Sequence, residues 1–329
     1  MVKMQSTRYH LIELLTTTEG TYISGQLLSD RLHISRSAIW KHMKELEKDG
    51  YVIEGIPRKG YRIVQSPDKV SPNTIQWGLE TEWLGQKIIH KTSTESTQEI
   101  AQQAARNNAE HGTVVIADEQ TNGRGRMGRA WKSAKNKGVW MSLILRPAIT
   151  PAAATRLTLL TATVLADVIT KQTAAAPAIK WPNDLLINHK KIAGILTEMQ
   201  AEQDRTQYVI VGIGVNVNQT LYDFAAPLKQ QAASIKSETG EDQPIVPLIQ
   251  SLLRSFEKTY DAFIDIGFSG IKTKWETYAY RIGERIRVQT NQTVFEAVLA
   301  GIADDGALLV QTDAGETQNV YSGEISWLT

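Results

Sequence analysis

The chain has 329 residues, is 42% apolar, and carries 36 Lys and Arg against 35 Asp and Glu. That length allows two or three domains, and the balanced charge means that any site for an anion must be local. There is no cysteine, which excludes disulfides, thiolate metal sites and cysteine nucleophiles. No apolar run approaches the ~20 residues of a membrane span, and no signal-type segment opens the chain, so a cytoplasmic protein with no membrane partner is expected.

Tyr9, Leu11, Ile12, Leu14 and Leu15 give a first helix with one apolar side. Ser24 is placed to cap a second helix, with Leu27, Leu28 and Leu32 expected to face inward. Ser35 can cap a third that runs to about Lys48, with Ala38, Ile39, Met43 and Leu46 on one face and Arg36, Ser37, Trp40 and Lys41 on the others. Gly50 ends it, and residues 51–54 and 61–64 read as two strands around a turn holding Arg58 and Lys59.

This order is that of a winged helix-turn-helix. Arg36, Ser37, Trp40 and Lys41 then sit where base edges of operator DNA are reached, and Arg58 and Lys59 where a wing tip meets phosphate. The alternative is a docking module whose charges are merely solvated. The stretch resembles the winged DNA-binding domains of bacterial metabolite-responsive repressors. Residues 65–73, polar and with two prolines, read as a linker.

Residues 88–90 read as a strand leading into Lys91-Thr92-Ser93-Thr94-Glu95-Ser96-Thr97-Gln98, just before a helix from Glu99 to Arg106. One of these hydroxyls is expected to cap the helix; spare Ser96, Thr97 and Gln98 groups at a helix N-terminus also suit a small polar ligand. A strand at 113–118 delivers Gln120-Thr121-Asn122-Gly123-Arg124-Gly125-Arg126-Met127-Gly128-Arg129-Ala130-Trp131, and another strand follows at 139–145. Glycines let backbone approach a ligand, and arginines grip carboxylate or phosphate. The loop is either a solvated basic hairpin or an anion-binding element.

A helix is expected over 151–170. Pro182-Asn183-Asp184 and Asn188-His189-Lys190 are turn signals between apolar strands. Lys191 opens a strand in which Gly194 suggests close approach of a ligand or another backbone; a lysine there is either solvated or functional. A further strand, 208–218, carries Gly212, Gly214 and Asn216. Gly-x-Gly alone makes no dinucleotide fingerprint, and there is no Walker-A sequence.

Gly123-Arg124-Gly125-Arg126-x-Gly128, Lys180-Trp181-Pro182-Asn183-Asp184, Lys191-x-Ala193-Gly194-Ile195-Leu196 and Gly212-x-Gly214-x-Asn216 occur in this order. Together they resemble the biotin–protein ligases, and with the winged domain in front the bifunctional form that also represses the biotin operon. The resemblance covers nearly the whole chain. It implies an α+β protein: a winged helix-turn-helix over 1–66, a mixed-sheet catalytic domain of the biotin/lipoate ligase type over 67–275, and an SH3-like β-barrel over 276–329.

The implied reaction joins biotin and ATP, with Mg²⁺, into biotinyl-5′-adenylate. The biotinyl group then passes to a lysine of a carrier domain, as in acetyl-CoA carboxylase or pyruvate carboxylase. The resemblance places Ser96, Thr97 and Gln120 on the biotin head, Arg124 and Arg126 on the carboxylate and α-phosphate, and Lys191 at the reacting centre. Gln98 stands where the family often has asparagine. Gly123 and Gly194 join the biotin-binding set, and Trp140, Asn183 and Asn216 the adenylate-binding set. Trp131 and Trp140 are each either core or a face for adenine, and the family favours Trp140. Residues 221–233 match an adenylate-binding loop in position.

Residues 247–263 read as an amphipathic helix, with Phe263 and Trp275 closing the core. Short strands around Asp304-Asp305-Gly306 and Asp313-Ala314-Gly315 form the C-terminal barrel, whose Ser322-Gly323-Glu324-Ile325-Ser326 matches a family ending. Trp327-Leu328 stands where some relatives have a basic residue. The resemblance further implies an adenylate-dependent homodimer on operator DNA. Two other readings stay open: a ligand-sensing repressor without ligase activity, and a lipoate–protein ligase.

Arg126→Gly is expected to leave some adenylate synthesis but to release the adenylate early. A dissociation assay checks this, and retention equal to the parent protein would refute a closing role for the loop.

Overall fold

The computed structural model describes residues 7–16, 21–65, 67, 69–77, 79–224 and 229–328; the side chains of residues 8, 9, 13 and 16, including the expected core residue Tyr9, lie outside the described set. The chain forms two compact units, 1–80 and 81–329.

In the first unit, α1 (Thr7–Thr16), α2 (Gly25–Leu32) and α3 (Arg36–Lys48) precede a hairpin of β1 (Val52–Ile56) and β2 (Gly60–Gln65). Ser24 accepts from Leu27 N–H and Ser35 from Ala38 N–H, so the two expected caps are made. Leu11, Leu28, Ile39, Met43 and Leu46 fill the core. Leu27, expected inside, is instead 43% exposed; it sits one position before Leu28, about 100° round the helix. Gly60 lies at φ +116°, where a Cβ would fall 1.9 Å from Ile23 O. Only glycine lets the wing close against the α2 approach, where Ile23 and Tyr61 exchange backbone hydrogen bonds. The stretch read as linker, 65–73, ends in the start of a short helix, α4 (Pro72–Gln76), because Ser71 and Thr74 form a reciprocal capping box and Pro72 sits in its first turn. Trp77, just past it, packs edge-on against Tyr51 at 4.4 Å.

The second unit is built on a seven-stranded sheet. Its strands are β3 (Ile88–Lys91), β4 (Thr113–Ala117), β5 (Gly138–Leu145), β6 (Ala178–Lys180), β7 (Asp184–Ile187), β8 (Lys190–Glu202) and β9 (Arg205–Asn216), in the order β3-β4-β5-β9-β8-β7-β6. Only β3 and β4 run parallel, joined through α5 (Thr97–Arg106). The helical segment after β5 is broken at Thr155 into α6 (Pro151–Ala154) and α7 (Arg156–Gln172). Thr197 of β8 meets Thr158 of α7, whereas the next residue, Glu198, meets Gln98 of α5. Adjacent strand residues point to opposite faces, so α5 and α7 cover opposite sides of the sheet.

The stretch Pro151–Gln172 is long and apolar enough by composition to cross a membrane, contrary to the sequence count. Its apolar residues are used in the core: Leu157, Leu160, Leu165 and Ile169 are fully enclosed, and α7 packs against α9 (Ile245–Ile266). Before α9 comes the short α8 (Ile235–Thr239), and after it α10 (Ser269–Tyr278), which holds the buried Trp275. Tyr280 N–H then bonds Ile179 O, covering the outer edge of β6.

The C-terminal antiparallel sheet has the order β13-β12-β11-β10-β14, from β10 (Arg285–Gln289), β11 (Val294–Ile302), β12 (Leu308–Gln311), β13 (Thr317–Val320) and β14 (Glu324–Trp327). The family ending is thus itself a strand, paired with β10.

Glu257 of α9 is buried and accepts backbone N–H from Glu82, Trp83 and Leu84 at 2.7, 2.9 and 2.7 Å. Glu257→Ala strands three donors and should lower the stability of this unit by about 3 kcal/mol. Denaturant unfolding followed by tryptophan emission checks it; an unchanged midpoint would show that these bonds contribute nothing net.

Candidate active site

The site grows from the ends of β3, β4, β8 and β9. Thr121 N–H bonds Thr94 O at 2.8 Å and Asn122 N–H bonds Glu95 O at 3.0 Å, so the glycine–arginine loop is sewn to the segment before α5. The loop is a folded hairpin: Trp131 N–H bonds Gly123 O and Gly125 N–H bonds Arg129 O, both at 2.7 Å. It turns at Met127 and Gly128, with φ of 55° and 71°.

Ser96 occupies the helix N-cap position but makes no capping bond with its hydroxyl. The cap comes from outside the segment. Gln120 Oε1 accepts from Thr97 N–H at 2.8 Å and from Thr97 Oγ1 at 3.1 Å, while Gln120 Nε2 donates to Ser133 Oγ at 2.7 Å. The expectation that a local hydroxyl caps α5 is therefore corrected. Ser96 is free of that duty.

These elements enclose a cavity of about 680 Å³, the size of a small-ligand site. Of the residues singled out from sequence, Ser96, Thr97, Gln98, Gln120, Arg124, Arg126, Asn183, Lys191, Gly194 and Asn216 all line it. Gly123 does not. A Cβ there would fall 2.5 Å from Trp131 O and 2.9 Å from Ser133 Oγ, so that glycine serves the packing of the loop. Trp140 is a second correction. It is wholly buried in β5 and its indole N–H donates to Ala134 O at 3.2 Å, which leaves no face for a base. Trp131 lines the cavity in its place, lying across Gly194 and Gly214, where added Cβ atoms would come within 3.3 and 2.6 Å of its ring. Its Nε1 has no partner among the described residues.

The two ends of the cavity differ in charge. One is neutral and polar: Ser96, Thr97, Gln98, Gln120 and Ser142. The other is cationic: Arg126, Arg129, Lys180 and Lys191, with Asp184 and Glu324 among them, while Arg124 and Lys132 also line the cavity. Lys191 Nζ sits 2.7 Å from Asp184 Oδ1 and 5.3 Å from the centre of the Trp131 ring. That contact lacks hydrogen-bond geometry, since Asp184 Oδ1 has no aligned donor among the described residues. Arg126 donates to Asn183 Oδ1 at 3.1 Å, and Asn183 in turn donates to Ile195 O. Arg124 pairs with Glu99 at 3.3 Å. Burial pushes the Lys180 ammonium below its ordinary pKa, against the opposing pull of Asp184.

Asn216 is held to the far wall, donating to Ala233 O and accepting from Gln219. The segment expected to be an adenylate loop is pinned there, because Lys191 N–H bonds Gln231 O and Ala233 N–H bonds Lys191 O. Phe224, Gln230, Gln231 and Ala232 line the cavity, while residues 225–228 lie outside the described set. The C-terminal sheet supplies another wall through Glu324, Ile325 and Trp327, with Tyr280 beside it. Sequence reading left these unassigned, as it did Ser142, Lys180 and Arg129. The signals present were the family-like ending around Glu324, the Lys180-Trp181-Pro182-Asn183-Asp184 motif and the place of Arg129 in the glycine–arginine loop.

In the first unit, Arg36, Ser37, Trp40 and Lys41 are exposed at the N-terminal part of α3, Trp40 by 56%, and Arg58 and Lys59 are exposed in the hairpin turn. This unit thus presents an exposed helix start and an exposed hairpin tip.

Comparison with known proteins fits both units. The sequence is 47% identical to the bifunctional ligase/repressor BirA of Bacillus subtilis, over 98% of this chain and 99% of that one. The chain belongs to the family of bifunctional biotin ligase/repressors. Within that family, the BirA of Escherichia coli is 29% identical across 96% of this chain. Residues 90–216 match the biotin/lipoate A/B protein ligase family, 7–62 an HTH domain, and 282–328 the biotin protein ligase C-terminal domain. A biotin protein ligase from Aquifex aeolicus, solved with biotin and ATP, superposes with a TM-score of 0.64 at 28% identity, covering 73% of this chain and 98% of that one.

Arg129 Nη2 lies 2.5 Å from Glu324 Oε1, tying the loop to β14, and the guanidinium holds that carboxyl below its usual range. A lowered pKa means that the tie is present above the ordinary carboxylate pKa and is lost as pH falls through the lowered value. Amides of residues 125–131 in Glu324→Gln should therefore exchange faster than in the parent at pH 7, and the difference should vanish at acid pH. Hydrogen exchange, corrected for intrinsic rates, checks this; equal protection at pH 7 would refute the tie.

Proposed function

We propose that the second unit joins biotin to ATP as biotinyl-5′-adenylate and then passes the biotinyl group to a carrier-domain lysine, and that the first unit represses biotin genes when the adenylate persists. The observation that carries this reading is the single cavity with one neutral hydrogen-bonding end and one cationic end. Biotin has a neutral ureido head and an anionic tail. ATP brings further negative charge that must meet that tail.

In the first step a biotin carboxylate oxygen attacks the α-phosphorus, a P–O bond forms, and pyrophosphate leaves. In the second the carrier amine attacks the acyl carbon, an amide forms, and AMP leaves with its phosphate. Arg124, Arg126 and Lys191 offset the repulsion between the two anions and the charge that builds on the α-phosphate. Lys191, paired with Asp184 at 2.7 Å, exchanges that partner for the ligand. Mg²⁺ is part of this reading as the ion that accompanies the ATP phosphates. Trp131 is the ring assigned to adenine, in place of Trp140. The hairpin loop excludes water from the hydrolysable anhydride.

The carrier domains are those of biotin-dependent carboxylases, such as acetyl-CoA carboxylase and pyruvate carboxylase, in the cytoplasm. Operator binding by a homodimer, with one winged unit on each half-site, completes the reading. A pure ligand sensor would have no use for the convergence of Lys191 with Arg124 and Arg126. A lipoate ligase fits less well, because a dithiolane has no N–H or C=O to satisfy Thr97, Gln98 and Ser142.

With Mg-ATP, biotin and an apo carrier domain, mass spectrometry should show the carrier gaining one biotinyl group, and Lys191→Ala should slow this by about a hundredfold or more. Biotin should raise the melting temperature while lipoate leaves it unchanged. Binding without turnover would favour the sensor, and a shift with lipoate alone would favour the sister activity.

A further inference from the structure

Gln98 is buried at the neutral end of the cavity, and its terminal amide is held by unusual means. Its Nε2 faces three acceptors: Glu198 Oε2 at 2.8 Å, Leu196 O at 3.3 Å and Ile210 O at 3.4 Å. None of these can donate. The amide can therefore sit only one way, with Oε1 turned inward, where Ser142 Oγ donates to it at 3.0 Å. Gln102, one turn further along α5, donates to the same Glu198 oxygen at 2.7 Å. Gly212 makes the arrangement possible, since a Cβ there would fall 2.5 Å from Gln98 Oε1. The glycine in β9 admits this amide.

The polarity set at Glu198 runs on into the pocket. Ser142 has one proton, and it goes to Gln98 Oε1. The 3.0 Å contact between Ser142 Oγ and Thr97 Oγ1 then draws on the single Thr97 proton, which is shared with Gln120 Oε1 at 3.1 Å. Lone pairs on Gln98, Ser142 and Thr97 are left as acceptors at the end of the cavity, which is what a ring carrying two N–H donors needs. A reversed amide would put a donor against those donors.

We propose that Glu198 is a positioning residue for substrate recognition: from outside the cavity it fixes the sense of the Gln98–Ser142–Thr97 hydrogen-bond chain so that the pocket accepts the ureido N–H groups. The proposal rests on the assignment of biotin to this cavity. It also gives the glutamine at 98, where the family often has asparagine, a reason. The extra methylene lets the amide reach Glu198 while its oxygen stays in the pocket.

The test compares the full chain with Glu198→Leu, Glu198→Gln and Gln98→Asn, by calorimetry with biotin and by steady-state transfer assays. Glu198→Leu removes the strongest acceptor, and the Kd and KM for biotin should rise about tenfold, with kcat at saturating biotin and the KM for ATP unchanged. Glu198→Gln keeps an acceptor oxygen and should restore binding to within about twofold of the parent. Gln98→Asn, too short to reach Glu198, should match Glu198→Leu and carries the test if that variant does not fold. Unchanged binding in Glu198→Leu or Gln98→Asn, equal losses in Glu198→Gln and Glu198→Leu, or a loss confined to kcat would each overturn the proposal. Failure of the parent protein itself to bind biotin would instead overturn the assignment on which it rests.

Discussion

The side-chain amide of Gln120 joins the three parts on which the site depends. Its oxygen takes the first free N–H of α5, its nitrogen holds Ser133 on the return limb of the hairpin, and its backbone continues β4. Helix N-termini need an acceptor, and a local serine or threonine is the common source. Here the acceptor comes from the loop, so helix and loop cannot be placed independently. Gly123 packs against the same amide, which explains why a glycine is required at a point that touches no cavity.

A chain of nearly zero net charge builds its cationic site by convergence. Arg124, Arg126 and Arg129 arrive on one hairpin, Lys180 from β6 and Lys191 from β8, and each acid nearby is shared with one of them. Asp184 and Glu324 keep the cluster from repelling itself when no anion is present. The arrangement is preorganised for anions and neutralised without them.

The parts legible from sequence were those with a local cause. Apolar periodicity placed α1, α2, α3, α5 and α9, and serine caps placed the starts of α2 and α3. The glycine–arginine hairpin and Lys191 were singled out by residue type and order. What could not be read were relations across the chain. Glu198 lies 100 residues from Gln98, and nothing near either one announces the pairing. Trp131 and Trp140 are chemically equal in sequence, and only burial separates the ring in the cavity from the ring in the core. In residues 65–73 proline and serine read as breakers, although Ser71-Pro72 is equally a helix start.

The wall supplied by β14 has a bearing on the order in which the protein comes into being. Residues 324–327 are the last of the cavity residues to be synthesised, and they pair with β10, itself near the end of the chain. A nascent chain that has already folded its seven-stranded sheet still lacks one side of the chamber and the partner of Arg129. Without β14 the chamber would be open on that side and Arg129 would lack its carboxylate partner.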